Sequence, residues 1–213
     1  YTRTIQAVDD SVGTLLAYLD ENGLAENTLV IYTSDQGMFL GDHGWHDKRF
    51  MYEQSLQMPF LARLPGEIDA GSVSDAMLLN IDFAATFYDY AGIDCPDEVQ
   101  GTSGRQILAG TTPDDWRTSM YYRYWMSMLG HRVVPNYGVR NERYKLIHYY
   151  GVLPEDTGLD DLKIPAEWEL YDLRTDPEEI KNVYNNPEYS LVQAEMLQEL
   201  DRLQTAAGDT SRH

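Results

Sequence analysis

The feature that most constrains the fold is an amphipathic stripe followed closely by a short apolar run. Ile5, Val8, Val12, Leu15, Leu16 and Leu19 recur at helical spacing with acidic residues between them, and Asn22-Gly23 supplies the stop. Thr28-Leu29-Val30-Ile31-Tyr32 then reads as a buried strand. A chain that passes from helix to buried strand this quickly builds a sheet covered by helices, so the fold class is α/β. The strand runs into Thr33-Ser34-Asp35-Gln36-Gly37, placing Asp35 and Gln36 at its carboxyl end. Open α/β sheets bind their ligands there.

Two adjacent oxygen donors at that end suit a hard divalent cation, and Lys48, one loop later, suits an anion beside it. Metal plus lysine is an arrangement for cleaving esters. Local sequence alone also fits a plainer account, in which Asp35 caps the turn and Lys48 is a solvated surface charge. Residues 37–52, rich in Gly, His and Asp, form a loop long enough to be either functional or disordered.

Further along, Met58-Pro59-Phe60-Leu61-Ala62-Arg63 reads as a second buried strand stopped by Pro65-Gly66. A helix is predicted through 82–88, ended by Gly92. Gly101, Gly104 and Gly110 with Thr111, Thr112 and Pro113 make a loop-rich bridge, which divides the chain into 1–110 and 111–213. Beyond it aromatic residues alternate with polar ones, in Met120-Tyr121-Tyr122-Arg123-Tyr124-Trp125, Tyr137-Gly138-Val139-Arg140, Tyr144-Lys145-Leu146-Ile147-His148-Tyr149-Tyr150 and Trp168-Glu169-Leu170-Tyr171-Asp172. That pattern predicts a small antiparallel sheet. A terminal helix over 187–203 presents Leu191, Ala194, Leu197 and Leu200 to cover it. Asp176-Pro177-Glu178-Glu179 is expected to be a turn leading into a helix, with its acids at the positive helix end.

A net charge of -19 and a pI near 4.4 argue against a nucleic-acid partner, which would need a basic face. They also disfavour long-range attraction of a polyanion. Lys48, Arg49, Arg123, Arg132 and Arg140 remain candidates for a locally cationic pocket. No stretch approaches the apolar length that spans a bilayer. The single cysteine, Cys95, cannot form an internal disulfide.

Several motifs in order resemble the C-terminal part of type I sulfatases of the alkaline phosphatase superfamily. They are Thr33 to Gly37, Gly41-Asp42-His43-Gly44, Lys48-Arg49-Phe50-Met51-Tyr52-Glu53-Gln54-Ser55, Met58-Pro59-Phe60, Arg143-Tyr144-Lys145-Leu146-Ile147 and Asn182-Val183-Tyr184. The resemblance implies the end of an α/β/α sandwich at 1–110 and a small antiparallel subdomain packed by a C-terminal helix at 111–213. It implies Asp35 and Gln36 as ligands of Ca2+, or of Mg2+ in its place, and Lys48 as the catalytic contact to the sulfate. His43 and His46 would line the pocket, Arg49 or Glu53 would fix the loop by an ion pair, and His131 and Arg140 would meet a sulfated carbohydrate. The loop from Trp45 to Glu53 most resembles bacterial carbohydrate and N-acetylglucosamine-6-sulfatase-like members.

One family element is missing from the sequence. These sulfatases carry Cys or Ser, any residue, Pro, any residue, Arg, whose first residue becomes a formylglycine nucleophile. Cys95 is followed at once by Pro96, and no serine satisfies the pattern. The expectation is a C-terminal fragment, inactive alone, whose partner is the missing N-terminal half of a periplasmic or secreted protein. Such a piece would expose a sheet edge and pair or aggregate through it. A phosphonate or phosphodiester hydrolase of the same superfamily and a catalytically silent glycan-binding module remain as alternatives.

Overall fold

The computed structural model describes residues 2–126, 131–151 and 163–210. In chain order the elements are α1 (Thr2–Glu21), β1 (Val30–Thr33), β2 (Phe39–Leu40), β3 (His46–Asp47), α2 (Glu53–Leu56), β4 (Phe60–Arg63), α3 (Asp82–Ala91), α4 (Arg105–Leu108), β5 (Ser119–Tyr124), β6 (Asn136–Asn141), β7 (Tyr144–Tyr149), β8 (Glu167–Asp172) and α5 (Ser190–Ala206). They form an α/β protein in two compact units, Tyr1–Asp35 with Pro59–Trp116, and Gln36–Met58 with Arg117–His213. Residues 36–58 therefore belong with the second unit although they lie early in the sequence.

In the first unit, α1 ends where predicted. Gly23 takes a left-handed backbone at φ 68° and the Leu24 amide donates back to the Leu19 carbonyl at 2.9 Å. β1 and β4, the two predicted strands, pair antiparallel with Val30 opposite Arg63 and Thr33 opposite Phe60. Gly92, at φ 65°, closes α3 by donating to the Asp89 carbonyl at 3.1 Å, and Ile93 donates to Tyr88 at 3.0 Å. The α4 turn escaped the sequence reading because it sits inside the glycine-rich bridge. That bridge is ordered by Asp82 of α3, fully buried, which accepts from the amides of Leu79 at 2.7 Å and Thr102 at 2.9 Å. A Cβ at Gly101 would lie 1.9 Å from the Ile81 carbonyl oxygen, so this close approach of two backbones admits only glycine.

The second unit contains the predicted antiparallel sheet, in the order β5-β6-β7-β8. Period-two alternation gives it two distinct faces. Val139 pairs with Leu146 and Leu146 with Leu170, and this face meets α5 through Tyr137, Val183, Met196 and Leu200. Gly138 pairs with Ile147, Ile147 with Glu169, and Arg140 with Lys145 on the opposite face. Here Met51, Ile147, Tyr149 and Tyr171 form a second core, with Phe50, Tyr52 and Leu56 packed against it. Gly138 makes room for it, since a Cβ there would sit 2.6 Å from the Met51 sulfur and 2.2 Å from the Leu146 carbonyl oxygen.

One turn departs from expectation. No helix begins at Asp176-Pro177-Glu178-Glu179. Asp176 instead accepts from the amides of Ile180 and Lys181 at 3.2 and 2.8 Å, and Glu179, at φ 53°, points inward and is 2 % exposed. Arg123 is likewise unavailable to a pocket. Its side chain is 2 % exposed and ion-paired to Asp209, while Tyr121 donates to the same carboxylate at 2.6 Å.

Candidate active site

The long loop predicted as functional or disordered is ordered around a miniature hairpin. β2 and β3 pair Phe39 with Asp47 and Leu40 with His46 across a tight turn at Asp42–Gly44. Gly41 at φ 125°, His43 at φ 52° and Gly44 at φ 68° bend it, and the Asp42 carboxylate accepts from the Leu40 amide at 3.1 Å. Phe39 is fully buried, ringed edge-on by Phe50 at 6.5 Å, Tyr52 at 6.3 Å and His43 at 6.0 Å. His43 also stacks flat on Tyr52, 4.5 Å away at 9°. Its imidazole thus organises the loop, and His46 stands exposed in β3.

The Gln36 turn is held by backbone contacts. Gly37 donates to the Ser55 carbonyl at 2.9 Å, and the Gln36 side-chain Nε2 donates to the same oxygen. A carbonyl only accepts, so the nitrogen faces Ser55 and the amide oxygen of Gln36 is the end turned away. A Cβ on Gly37 would fall 2.3 Å from the Gln54 carbonyl oxygen and 2.7 Å from that of Gln57. Gly37→Ala is expected to cost about 3 kcal/mol in urea denaturation, the upper end of overpacking penalties, because backbone must move. A cost below about 1 kcal/mol would show that the turn can give. Asp35, in the first unit, lies just past β1, with the Ser34 hydroxyl 3.4 Å from its Oδ1.

Lys48 follows β3 between two residues in the positive-φ region, Asp47 at 142° and Arg49 at 94°. Non-glycine residues held there cost about 1–3 kcal/mol each and persist only where their surroundings fix them. Three contacts hold Arg49. Its amide donates to the Ser55 hydroxyl at 2.9 Å, its carbonyl accepts from the Tyr122 hydroxyl at 2.9 Å, and its guanidinium lies 2.5 Å from Asp47. Asp47 also faces His131 Nδ1 at 3.5 Å. Burial would raise the Asp47 carboxyl, but the bond and charge of Arg49 hold it below the usual carboxylate range. Burial pushes the Tyr122 hydroxyl up to about 12.

Beneath this loop lies a cluster of charges. Lys145 Nζ, fully buried, is 2.7 Å from Glu53 and 2.6 Å from Glu179. Arg140 forks onto Glu53 at 3.2 and 3.1 Å, and the Glu53 amide donates to Glu179 at 2.7 Å. Glu53 is therefore ion-paired, with Lys145 and Arg140 as its partners. Beside it the Tyr52 hydroxyl donates to Glu169 at 2.9 Å, and burial raises the carboxyl of Glu169. Arg140 reaches into the Glu53 cluster, whereas Gln36 meets Ser55, His131 meets Asp47, and the Lys48 backbone bonds to the Asp47 carboxylate. The sequence reading missed Ser55, Lys145 and Glu179. A legible signal existed for Lys145, a cation in a strand apolar on both faces, which requires a buried carboxylate partner.

Among the described residues, no three His, Cys, Asp or Glu side chains converge as a metal site. Asp35 carries a carboxylate and Gln36 an amide oxygen, each a hard donor of the kind Ca2+ takes in shells of about 6–8 oxygens.

The family model for N-sulphoglucosamine sulphohydrolase, C-terminal, matches residues 41–206. The chain belongs to that family. It is 44% identical to the N-acetylglucosamine-6-O-sulfatase of Bacteroides thetaiotaomicron over 96% of this chain and 35% of the relative. A solved structure of a protein in complex with its substrate D-glucosamine-2-N,6-O-disulfate superposes with a TM-score of 0.87 at 43% identity, covering 97% of this chain and 40% of that one. The phosphonate monoester hydrolase of Silicibacter pomeroyi shares the fold with a TM-score of 0.79 at 25% identity, over 93% of this chain and 39% of that one. This sulfatase C-terminal domain spans little more than a third of the length of the curated relatives it matches. Its fold is that of the alkaline phosphatase superfamily, as the resemblance implied.

Proposed function

We propose that this chain is the C-terminal part of a sulfatase that hydrolyses sulfate esters of carbohydrates, glucosamine 6-O-sulfates among them. The carrying observation is the 44% identity to an N-acetylglucosamine-6-O-sulfatase, sustained over 96% of the chain. In this reading Asp35 and Gln36 contribute oxygens to a Ca2+, whose bound charge would polarise the ester oxygens. Lys48 neutralises negative charge on the sulfate and on the departing sugar oxygen. His43, His46 and His131 line the pocket, and Arg140 reaches the sugar side through the loop it braces. The formylglycine nucleophile is supplied from outside this sequence, so the chain alone does not turn over. Its partners are the sulfated sugar and the N-terminal half.

The test is sulfate release by the full-length protein from N-acetylglucosamine 6-sulfate, set against a phosphonate monoester. Sulfate release is expected to exceed phosphonate hydrolysis by about 100-fold in kcat/KM, roughly 2.7 kcal/mol of transition-state preference. Removing divalent cations with a chelator should abolish it, and restored Ca2+ should return it. A reversed preference would make the protein a phosphonate hydrolase of the same fold. Glycan binding without any turnover would leave only a recognition module.

A further inference from the structure

We propose that Ser55 is a positioning residue that sets where Lys48 stands relative to the Gln36 turn. The inference rests on the sulfatase reading for the role of Lys48, and on geometry alone for the clamp. Ser55 is fully buried, and it uses its two acceptor groups on two different segments. Its carbonyl takes Gly37 N at 2.9 Å and Gln36 Nε2, while its hydroxyl oxygen takes Arg49 N at 2.9 Å and lies 3.5 Å from Gln36 Nε2. One residue therefore meets both the turn that carries the candidate metal ligand and the residue next to the candidate sulfate contact.

The two attachments differ chemically. The grip on Gly37 is made by backbone and survives any substitution at position 55. The grip on Arg49 depends on the side-chain oxygen. A serine hydroxyl carries one proton and two lone pairs, so it can accept the Arg49 amide while its proton goes elsewhere. Without that acceptor the part-buried Arg49 amide has one partner fewer, and its backbone at φ 94° loses a contact that holds it. Lys48, directly before it in the chain, then swings with the relaxing backbone while the Gln36 turn stays docked. A shift of about 1 Å in a catalytic group costs on the order of 100-fold in rate.

The test uses the full-length protein with Ser55→Ala, Lys48→Ala and the double variant, assayed by sulfate release from N-acetylglucosamine 6-sulfate. Ser55→Ala is expected to lower kcat by about 10- to 100-fold with KM within about 3-fold. In the Lys48→Ala background the same change should cost less than about 2-fold, because the group it positions is gone. Amide hydrogen exchange supplies a readout independent of turnover. Protection at Arg49 should fall by about 10-fold or more while Gly37 keeps its protection. Equal losses in both backgrounds, or unchanged exchange at Arg49, would overturn the proposal. If the wild type releases no sulfate, the sulfatase reading fails and the exchange measurement alone decides the clamp. If Ser55→Ala does not fold, Tyr122→Phe removes the opposite hold on Arg49. It is expected to raise Arg49 exchange and lower kcat in the same direction, and no change in either would count against the clamp.

Discussion

Lys145→Ala is expected to destabilise the chain by about 3–5 kcal/mol, a large share of the roughly 5–15 kcal/mol that holds a typical domain together. The side chain of Lys145 has no solvent exposure and lies within 2.7 Å of Glu53 and 2.6 Å of Glu179. Removing its ammonium leaves a buried Glu179 carboxylate beside the half-buried Glu53, with Arg140 compensating Glu53. Burial pushes the Glu179 carboxyl up even with the lysine present. Burial would do the same to Glu53, but the charge of Lys145 and the bonds from Arg140 hold it below the usual range.

The sign of the pH dependence follows. A depressed carboxyl such as Glu53 contributes stability that is present above its unfolded value near 4.3 and is lost as pH falls through the folded value. A raised one such as Glu179 contributes stability that is full below that value and is lost as pH rises through the folded value. Without Lys145, Glu179 loses the charge that opposes its burial and is raised further, while Glu53 is held down by Arg140 alone. The deficit of the variant should therefore shrink between pH 7 and pH 5, which urea denaturation at the two pH values would read. A deficit below about 1 kcal/mol at pH 7, or one that widens on acidification, would mean that Lys145 does not neutralise the pair.

Lys48→Ala in the full-length protein is expected to reduce kcat/KM by about 100- to 1,000-fold, on the order of 3–4 kcal/mol of transition-state stabilisation. The magnitude is that of removing one preorganised donor aimed at developing charge. Lys48→Arg should restore little of it. A guanidinium is broad and planar, and the lysine ammonium is a compact charge on a backbone set by Asp47 and Arg49. The unfolding midpoint should move little, because the clamp contacts are made by Arg49, Ser55 and Tyr122 and remain in place. Activity within a few-fold of wild type would remove Lys48 from the chemistry.

Much of the fold was legible in the linear chain because its signals are short-range. The stripe from Ile5 to Leu19 with Asn22-Gly23, the left-handed Gly92 and the alternating aromatics each report the backbone over a few residues, and α1, α3 and β5 to β8 form where they stand. The hairpin within 37–52 was hidden because strands of two residues carry no periodicity. Its order comes from Phe39 buried among rings supplied by its own loop.

The motif residues Asp35, Gln36 and Lys48 stood out as chemistry-bearing by type and place in the sequence. Their supports did not. Ser55 looks like any serine in a short helix, and Glu179 like the acidic start of one, until the fold brings them to their partners. Glu53 and Glu179 meet from 126 residues apart. The sequence by itself determined where α1, α3 and the longer strands form, since backbone preference and apolar spacing are local properties. Only the tertiary structure decided which charges are buried and which turn is clamped, because desolvation and ion pairing act through space between residues that local sequence does not connect.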